Sequence, residues 1–393
     1  MKTSLLAGVL LLGGSSLFAK CGMPGGGHEP GGAGMPQVRQ ASSPADNTRV
    51  QVALLLDTSN SMDGLIDQAK SRLWNIINTL TTLKYKGKTP VVEIALYEYG
   101  NDGLAAEGNF IRQVTPLTTD LDLISEKLFS LRTNGGSEYC GAVIREAVKK
   151  LEWGHNEADM KLIYIAGNEP FSQGGISYKE AVAAALGRNI FVNTIFCGNK
   201  SEGVETFWKD GADRGKGKYF NIDPDQKVRF IETPYDARIH ACNEKMNRTY
   251  IGYGAMGVSK KQNQELQDKN AGSISRSNYA ERAVSKSKAV YKNDSWDLVD
   301  RLQEDKEALN RLKKDELPQE LRDKDKAEIE KIVAAKSKER AQIRKELEEL
   351  GRQRQAYIDA EQKKANVADD DLGAAINTSL VSLAGSLGYT VEK

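Results

Sequence analysis

The sequence reads VQVALLLDTSNS from residue 50 to residue 61, and this stretch decides the fold. Residues 50–56 are almost continuously apolar, which is typical of a strand buried on both faces of a parallel sheet. Asp57 ends the run, so we expect its carboxylate at the carboxyl end of that strand. Apolar residues at helical spacing follow between Leu65 and Leu83, which completes a βα unit.

The same alternation continues along the chain. Apolar runs at residues 91–97, 161–166 and 190–196 alternate with helical patterns at residues 120–131, 140–151 and 178–186. This order predicts an α/β fold, a doubly wound, Rossmann-like and mostly parallel sheet, over residues 49–255. Ligands of such sheets bind beyond the carboxyl ends of the strands. The candidate loops are therefore residues 57–62, 133–141 and 167–171.

The start of the chain predicts export. Residues 1–20 have the layout of a signal peptide, with Lys2, an apolar run at residues 5–12 and small residues up to Ala19. Cys21 lies where a bacterial lipoprotein carries its acylated cysteine, although Lys20 replaces the small residue that signal cleavage requires. Lipid attachment to a membrane through Cys21 is the alternative to a free exported protein. We expect the periplasm, the outer membrane or the cell surface.

The remaining segments have distinct compositions. Residues 21–48 are rich in Gly and Pro and predict a flexible tether. Residues 256–280 are polar and predict a linker. Two apolar stripes separated near residues 316–318 predict a coiled-coil-like helical hairpin over residues 281–365. The tail, residues 366–393, contains a short apolar helix pattern from residue 372 to 387.

Composition excludes several classes of function. The chain has 55 Lys and Arg against 54 Asp and Glu, so no net field attracts nucleic acid. It has only 3 His and no CxxC pair, which disfavours a zinc site and a His-based catalytic triad.

The turn after the first strand carries the chemistry. Asp57, Ser59 and Ser61 place one carboxylate and two hydroxyls within five residues. Hard divalent cations prefer oxygen ligands, and Mg²⁺ keeps several waters when the protein supplies few ligands. We therefore expect a site for Mg²⁺, or for Mn²⁺ or Ca²⁺. The alternative is a helix N-cap, in which these side chains satisfy free backbone N–H groups.

At this motif the sequence resembles the von Willebrand factor A (vWA) family, whose metal-ion-dependent adhesion site begins with Asp-x-Ser-x-Ser after the first strand. The matching residues are Asp57, Ser59 and Ser61. The resemblance implies a fourth ligand at Ser137, which follows Gly135 and Gly136 where the family has Thr. It also implies a binding module whose ion is completed by an acidic residue of a protein partner.

The third loop departs from the family pattern. The family has an Asp after the strand and a Thr, whereas this chain reads Ala166-Gly167-Asn168-Glu169. Three residues are candidates to replace the Asp: Asn168 through a metal-bound water, Glu169 directly, or Glu138 beside Ser137.

Cys140 and Cys197 lie in elements that are predicted to end near one edge of the sheet. A disulfide between them is one hypothesis, and two buried thiols are the other; a bridge requires Cα atoms within about 7 Å.

We predict a metal-dependent protein-binding module of the cell envelope and not an enzyme. One alternative is a structural envelope-assembly protein that acts through its helical region, with a degenerate metal site. A metal-dependent hydrolase is a further alternative, but the three loops offer no His, Lys or Arg in a catalytic pairing. The sequence does not define the oligomeric state.

Overall fold

A computed structural model describes residues 48–365 and 372–392. The predicted signal peptide, Cys21 and residues 21–47 of the predicted tether lie outside these residues, as do residues 366–371 and Lys393 of the tail. No helix in the described ranges combines the length and the apolar character needed to cross a membrane.

Strands and helices are mixed as far as residue 222, and helices predominate after it. In chain order, the strands are β1 (Arg49–Asp57), β2 (Leu83–Tyr85), β3 (Val91–Tyr99), β4 (Ile111–Thr118), β5 (Met160–Gly167), β6 (Ile190–Cys197), β7 (Lys216–Ile222) and β8 (Tyr389–Val391). The α-helices are α1 (Asp63–Thr81), α2 (Leu121–Ser130), α3 (Cys140–Lys150), α4 (Tyr178–Leu186), α5 (Lys200–Glu205), α6 (Trp208–Arg214), α7 (Asp236–Asn247), α8 (Gly257–Ile274), α9 (Arg276–Ser285), α10 (Leu298–Glu304), α11 (Lys326–Ala365) and α12 (Leu372–Ser386). Short 3₁₀ turns occur at Asn60–Met62, Ala106–Gly108, Ala308–Asn310, Lys314–Glu316 and Gln319–Leu321.

Six strands form the central sheet in the order β4-β3-β1-β5-β6-β7, and the predicted fold class is confirmed. All neighbours are parallel except β4, which runs antiparallel to β3 at one edge. Pro116 lies in this edge strand, where a residue without a backbone N–H is tolerated. Without the short β2, the order is the 3-2-1-4-5-6 arrangement of doubly wound folds.

The central strand β1 is buried on both faces, as its continuous apolar run predicts. Val52, Leu54 and Leu56 pack on one face of the sheet with α1, α2 and α12. Ala53 and Leu55 pack on the other face with α3, α4 and Trp208. Two cores of this kind hold β1 in a single register, which fixes Asp57 at its end.

The predicted linker, residues 256–280, is wrong. This segment forms α8 and the first half of α9, and α9 packs against α1 and α7. The buried face of α8 is hard to see in its sequence because three of the side chains that it buries are polar: Gln264, Gln267 and Asp268. Each of these forms at least one hydrogen bond or ion pair inside the protein.

The prediction of a helical hairpin over residues 281–365 is also wrong, because the first half of this segment is not one long helix. After α10 the chain passes through three single 3₁₀ turns, and only α11 is a long helix. The C-cap of α10 is Asp305, whose backbone is extended and whose carboxylate accepts the N–H of Glu307 at 3.0 Å. The described residues, 48–365 and 372–392, lie in one compact unit, so the helices belong to the same body as the sheet.

Buried ion pairs attach these helices to the sheet. The Arg282 guanidinium is fully buried and lies 2.6 Å from Asp122 of α2 and 3.0 Å from Asp268 of α8. It also stacks 4.3 Å from the ring centroid of Trp74 in α1. Lys286, also fully buried, lies 3.0 Å from Asp268. Two charges of each sign therefore join α2, α8 and α9, and the stacking of Arg282 on Trp74 adds α1.

Two arginines of α11 act in the same way. Arg340 is 1% exposed and donates to Asp297 at 2.6 Å and to Asp300 at 2.7 Å. Arg354 donates to Asp236 of α7 at 3.0 Å and to the Ser277 carbonyl at 3.2 Å. Removing one partner from such a pair leaves an uncompensated buried charge, so these contacts specify how the helices dock.

We predict that Asp268→Asn destabilises the protein by about 3 kcal/mol or more at pH 7, because Lys286 and Arg282 lose a buried carboxylate. Burial opposes ionisation of Asp268, but the charges of Lys286 and Arg282 outweigh it and lower its pKa from 3.8 to about 2. This carboxylate therefore stabilises the wild type above about pH 4, and the contribution is lost as pH falls towards 2. Urea unfolding between pH 7 and pH 2.5 measures both effects. Equal stability at pH 7, or parallel pH profiles, would contradict the prediction.

A second prediction concerns the fragment 48–255. It lacks α9 and α12, which pack against α1 in the complete chain. We expect the fragment to expose the apolar surface of α1, to bind a hydrophobic dye and to lose cooperative unfolding. A fragment that unfolds as sharply as the full chain would show that the α/β part is an independent domain.

Candidate metal centre

Three loops meet at the carboxyl end of the central strands. Asp57 pairs in register with Tyr99 of β3, and the next residue, Thr58, donates its N–H to the Tyr99 carbonyl at 2.9 Å. The loop before α3 is joined to the first loop by two backbone bonds, from Asn60 N–H to the Gly135 carbonyl at 2.8 Å and from Asn134 N–H to the Thr58 carbonyl at 2.9 Å. The motif therefore lies on a backbone that is held from two sides.

The Asp57 side chain is fully buried, and in the part of the chain that the structure describes only one of its two carboxylate oxygens has a hydrogen-bond partner. Its Oδ1 accepts the N–H of Ser59 at 2.8 Å. Its Oδ2 is buried and has no hydrogen-bond partner among the described residues. An unpaired buried carboxylate oxygen is costly, which makes this atom the most conspicuous polar group of the site.

The two motif hydroxyls lie beside this carboxylate. Ser59 Oγ and Ser61 Oγ are 3.3 Å apart, and Asn168 donates its Nδ2 to Ser61 Oγ at 3.2 Å. The N-cap alternative is not what the structure shows. Helix α1 has Met62 at its N-cap and receives no side-chain cap bond, and Ser59, which precedes the 3₁₀ turn, makes none either.

The electrostatics of the site favour a cation. Burial raises the pKa of Asp57 to about 8, and the nearby carboxylates of Glu138 and Glu169 act in the same direction. Burial also raises the pKa of Glu138 to about 7, again with a contribution from Glu169. Within residues 48–365 and 372–392, none of these three acids forms an ion pair with Lys or Arg. A positive charge at this place would stabilise all three ionised forms.

The other predicted ligands differ in their burial and in their contacts with Asp57, Ser59 and Ser61. Glu138 is 5% exposed, and its Oε1 and the Cβ of Ser59 both border the backbone of Gly136. Ser137 is half-buried, and in the described part of the chain no hydrogen bond joins its hydroxyl to Asp57, Ser59 or Ser61. Asn168 reaches the cluster through Ser61. Glu169 is half-buried, and its backbone carbonyl accepts the indole N–H of Trp208 at 2.8 Å.

The third loop has no room for a side chain at Gly167. A Cβ atom on Gly167 would lie 2.5 Å from the Tyr99 hydroxyl and 3.0 Å from Asp57 Oδ2. That hydroxyl donates to the Ala166 carbonyl at 2.9 Å, so it is held in place. Sequence reasoning missed Tyr99. The available signal was its position as the last residue of an apolar run, directly before a glycine.

The donors present suit a hard divalent cation. Asp57, Ser59 and Ser61 supply one carboxylate and two hydroxyl oxygens, and the orphaned Oδ2 is the atom that an ion would satisfy. No group of three or more His, Cys, Asp or Glu side chains among the described residues is arranged to hold a metal. An ion here would therefore depend on hydroxyl groups as well as carboxylates, and zinc or another soft metal does not fit.

The disulfide hypothesis is wrong, because Cys140 and Cys197 are both free, buried thiols. Cys197 packs with Leu54 and Leu56 on one face of the sheet, and Cys140 packs with Ala53 and Leu55 on the other. The sheet thus separates the two side chains.

We predict that Gly167→Ala destabilises the protein by about 1–3 kcal/mol, because its methyl group would overlap the Tyr99 hydroxyl. Tyr99→Phe in the same chain removes the overlapping atom and should recover part of the loss. The control is Gly175→Ala, where a Cβ has no atom within 4 Å. Urea unfolding of the single and double variants gives the coupling energy. Additive effects would show that the two residues do not meet.

Known proteins resemble this chain in structure and not in overall sequence. No protein-family model matches the sequence, and no curated protein matches it. BatB from Bacteroides thetaiotaomicron is 17% identical over 44% of this chain and 90% of its own, with a TM-score of 0.35. An aerotolerance-related membrane protein from Bacteroides fragilis NCTC 9343 is 16% identical over 44% of this chain and 92% of its own, with a TM-score of 0.32. The SpRpn10 VWA domain is 16% identical over 46% of this chain and 90% of its own, with a TM-score of 0.34.

Proposed function

We propose that the protein is a divalent-ion-dependent binding module for another protein. Asp57, Ser59 and Ser61 would hold the ion, with Mg²⁺ the first candidate and Mn²⁺ or Ca²⁺ the others. Ser137, Asn168 and Glu169 remain candidate outer members of the site. We further propose that the chain is exported and acts in the cell envelope, because its first 20 residues have the layout of a signal peptide.

One observation carries the proposal. The carboxylate of Asp57 is fully buried at the end of the central strand, its Oδ2 has no partner among the described residues, and two hydroxyls lie beside it. Neither α1 nor the 3₁₀ turn before it has a side-chain cap bond, and a buried carboxylate with two hydroxyls beside it is a donor set that suits a hard cation.

Binding is favoured over catalysis by what surrounds the site. Hydrolysis at a metal ion normally also requires a positioned base or nucleophile. The neighbouring side chains are carboxylates, hydroxyls and an amide, and the Tyr99 hydroxyl is already bonded to the Ala166 carbonyl. His240 lies elsewhere, exposed and stacked 4.3 Å from the Tyr279 ring.

The alternative in which the helical region works by itself has less support. Helices α9 and α11 use buried arginines, Arg282, Arg340 and Arg354, to dock on the rest of the chain. Their apolar faces belong to the same core as α1 and β1. Because these apolar faces are buried in the core, they are not available to bind other components of the cell envelope.

We predict that Mg²⁺ at about 100 times its dissociation constant raises the unfolding temperature of the wild type by about 4 °C over EDTA. In Asp57→Ala the shift should vanish, because the buried carboxylate is gone. Glu157→Ala is the control, since this exposed residue lies in the loop before β5, at the opposite end of the sheet. Differential scanning calorimetry measures the three proteins. An equal shift in Asp57→Ala would place the ion elsewhere.

The same variants test whether the binding of a protein partner depends on the ion. Immobilised wild type should retain an envelope protein in Mg²⁺ and release it in EDTA, and Asp57→Ala should not retain it. Retention that is indifferent to both the chelator and the substitution would contradict metal-dependent binding.

A further inference from the structure

We propose that Glu138 completes the divalent-ion site from within the chain, so that the ion binds before any partner arrives. The inference rests on the proposed function, since it concerns the same ion. It replaces the expectation that an acidic residue of the partner is needed to complete the site.

The third loop has no room for a side chain at Gly167, because the Tyr99 hydroxyl and the Asp57 carboxylate together fill the space that it would need. Glu169, two residues further along the same loop, is only half-buried. Glu138, from the loop before α3, is 5% exposed and is therefore the stronger candidate for a second buried carboxylate beside Asp57.

Glu138 belongs to the loop before α3, and its side chain and that of Asp57 both lie against the backbone of Gly100. A Cβ on Gly100 would lie 2.6 Å from Glu138 Cγ and 2.9 Å from Asp57 Oδ1. The φ of Gly100 is +77°, a conformation that residues with a side chain rarely adopt. The chain thus keeps this position free of a side chain, and both acids use the space.

The Glu138 carboxylate also lies near Ser59. A Cβ on Gly136 would lie 2.8 Å from Glu138 Oε1 and 3.7 Å from the Cβ of Ser59. The backbone N–H of the same serine donates to Asp57 Oδ1 at 2.8 Å. One serine therefore lies between two carboxylates that come from different loops.

Charge balance explains why two acids should be buried together. Asp57 is 0% and Glu138 is 5% exposed, and neither pairs with Lys or Arg in the described ranges. Two ionised carboxylates without a counter-charge repel one another and lose hydration. One divalent cation neutralises both, whereas a third carboxylate from a partner would restore a net negative charge.

The test uses the full chain and Mn²⁺ alone, without a partner. Titration calorimetry should give one bound Mn²⁺ per wild-type chain, at least about tenfold weaker binding in Glu138→Gln, and none in Asp57→Asn. The control is Glu157→Gln, the same chemical change at the opposite end of the sheet, which should bind as the wild type.

Unfolding in EDTA separates a ligand from a structural residue. If Glu138 serves only as an ion ligand, Glu138→Gln removes a buried carboxyl group that has no Lys or Arg partner among the residues that the structure describes, so in EDTA the variant should unfold at the wild-type temperature or above it. A lower unfolding temperature in EDTA would assign Glu138 a structural role and overturn the proposal.

Two further outcomes of the Mn²⁺ titration would also overturn the proposal. Wild-type Mn²⁺ affinity in Glu138→Gln, with none in Asp57→Asn, would overturn the role of Glu138 and leave the proposed function intact. No binding by the wild type would overturn completion within the chain. Chelator-sensitive partner capture would then decide separately whether the proposed function survives.

Discussion

The Asp57 carboxylate, withdrawn from water at the end of the central strand, is the constraint on which the site depends. Strand β1 has apolar neighbours on both faces and parallel neighbours on both edges, so it cannot shift to expose this residue. Glycines at positions 100 and 167 bring two other loops against the carboxylate. The surrounding structure therefore holds a costly group in place, which is the usual sign of a site kept for a ligand.

The same fold handles its other buried charges differently. Arg282, Arg340 and Arg354 are each paired with carboxylates at 2.6–3.0 Å, and they join elements distant in sequence. Asp57 and Glu138 have no such counterpart among the described residues. This contrast matters because the chain contains 55 cationic side chains. Had these two acids been structural, a lysine or arginine could have neutralised them, as happens around α9 and α11.

How far the sequence predicts this structure depends on whether a pattern is local. Residues 50–61 predicted the central strand, its turn and the position of Asp57, because the apolar run and the breaking residues are contiguous. Helix α8 was missed because its buried residues are polar, and their partners, such as Tyr291 and Ser125, lie far away in sequence. The choice between Ser137 and Glu138 could not be made either. Which of two adjacent loop residues faces Asp57 depends on the backbone conformations of Gly100 and Gly135, which both have positive φ. It also depends on the Tyr99 hydroxyl, which occupies the space beside Gly167 in the third loop.

In the proposed site, an ion occupies the space between Asp57 and the hydroxyls of Ser59 and Ser61. Anomalous diffraction at the manganese absorption edge, from crystals of the full chain grown with Mn²⁺, tests it most directly. We expect one strong peak in contact with Asp57, Ser59 and Ser61, with Glu138 turned towards it. A map without a peak there at saturating Mn²⁺, or with its peak on other residues, would show that these side chains do not hold an ion.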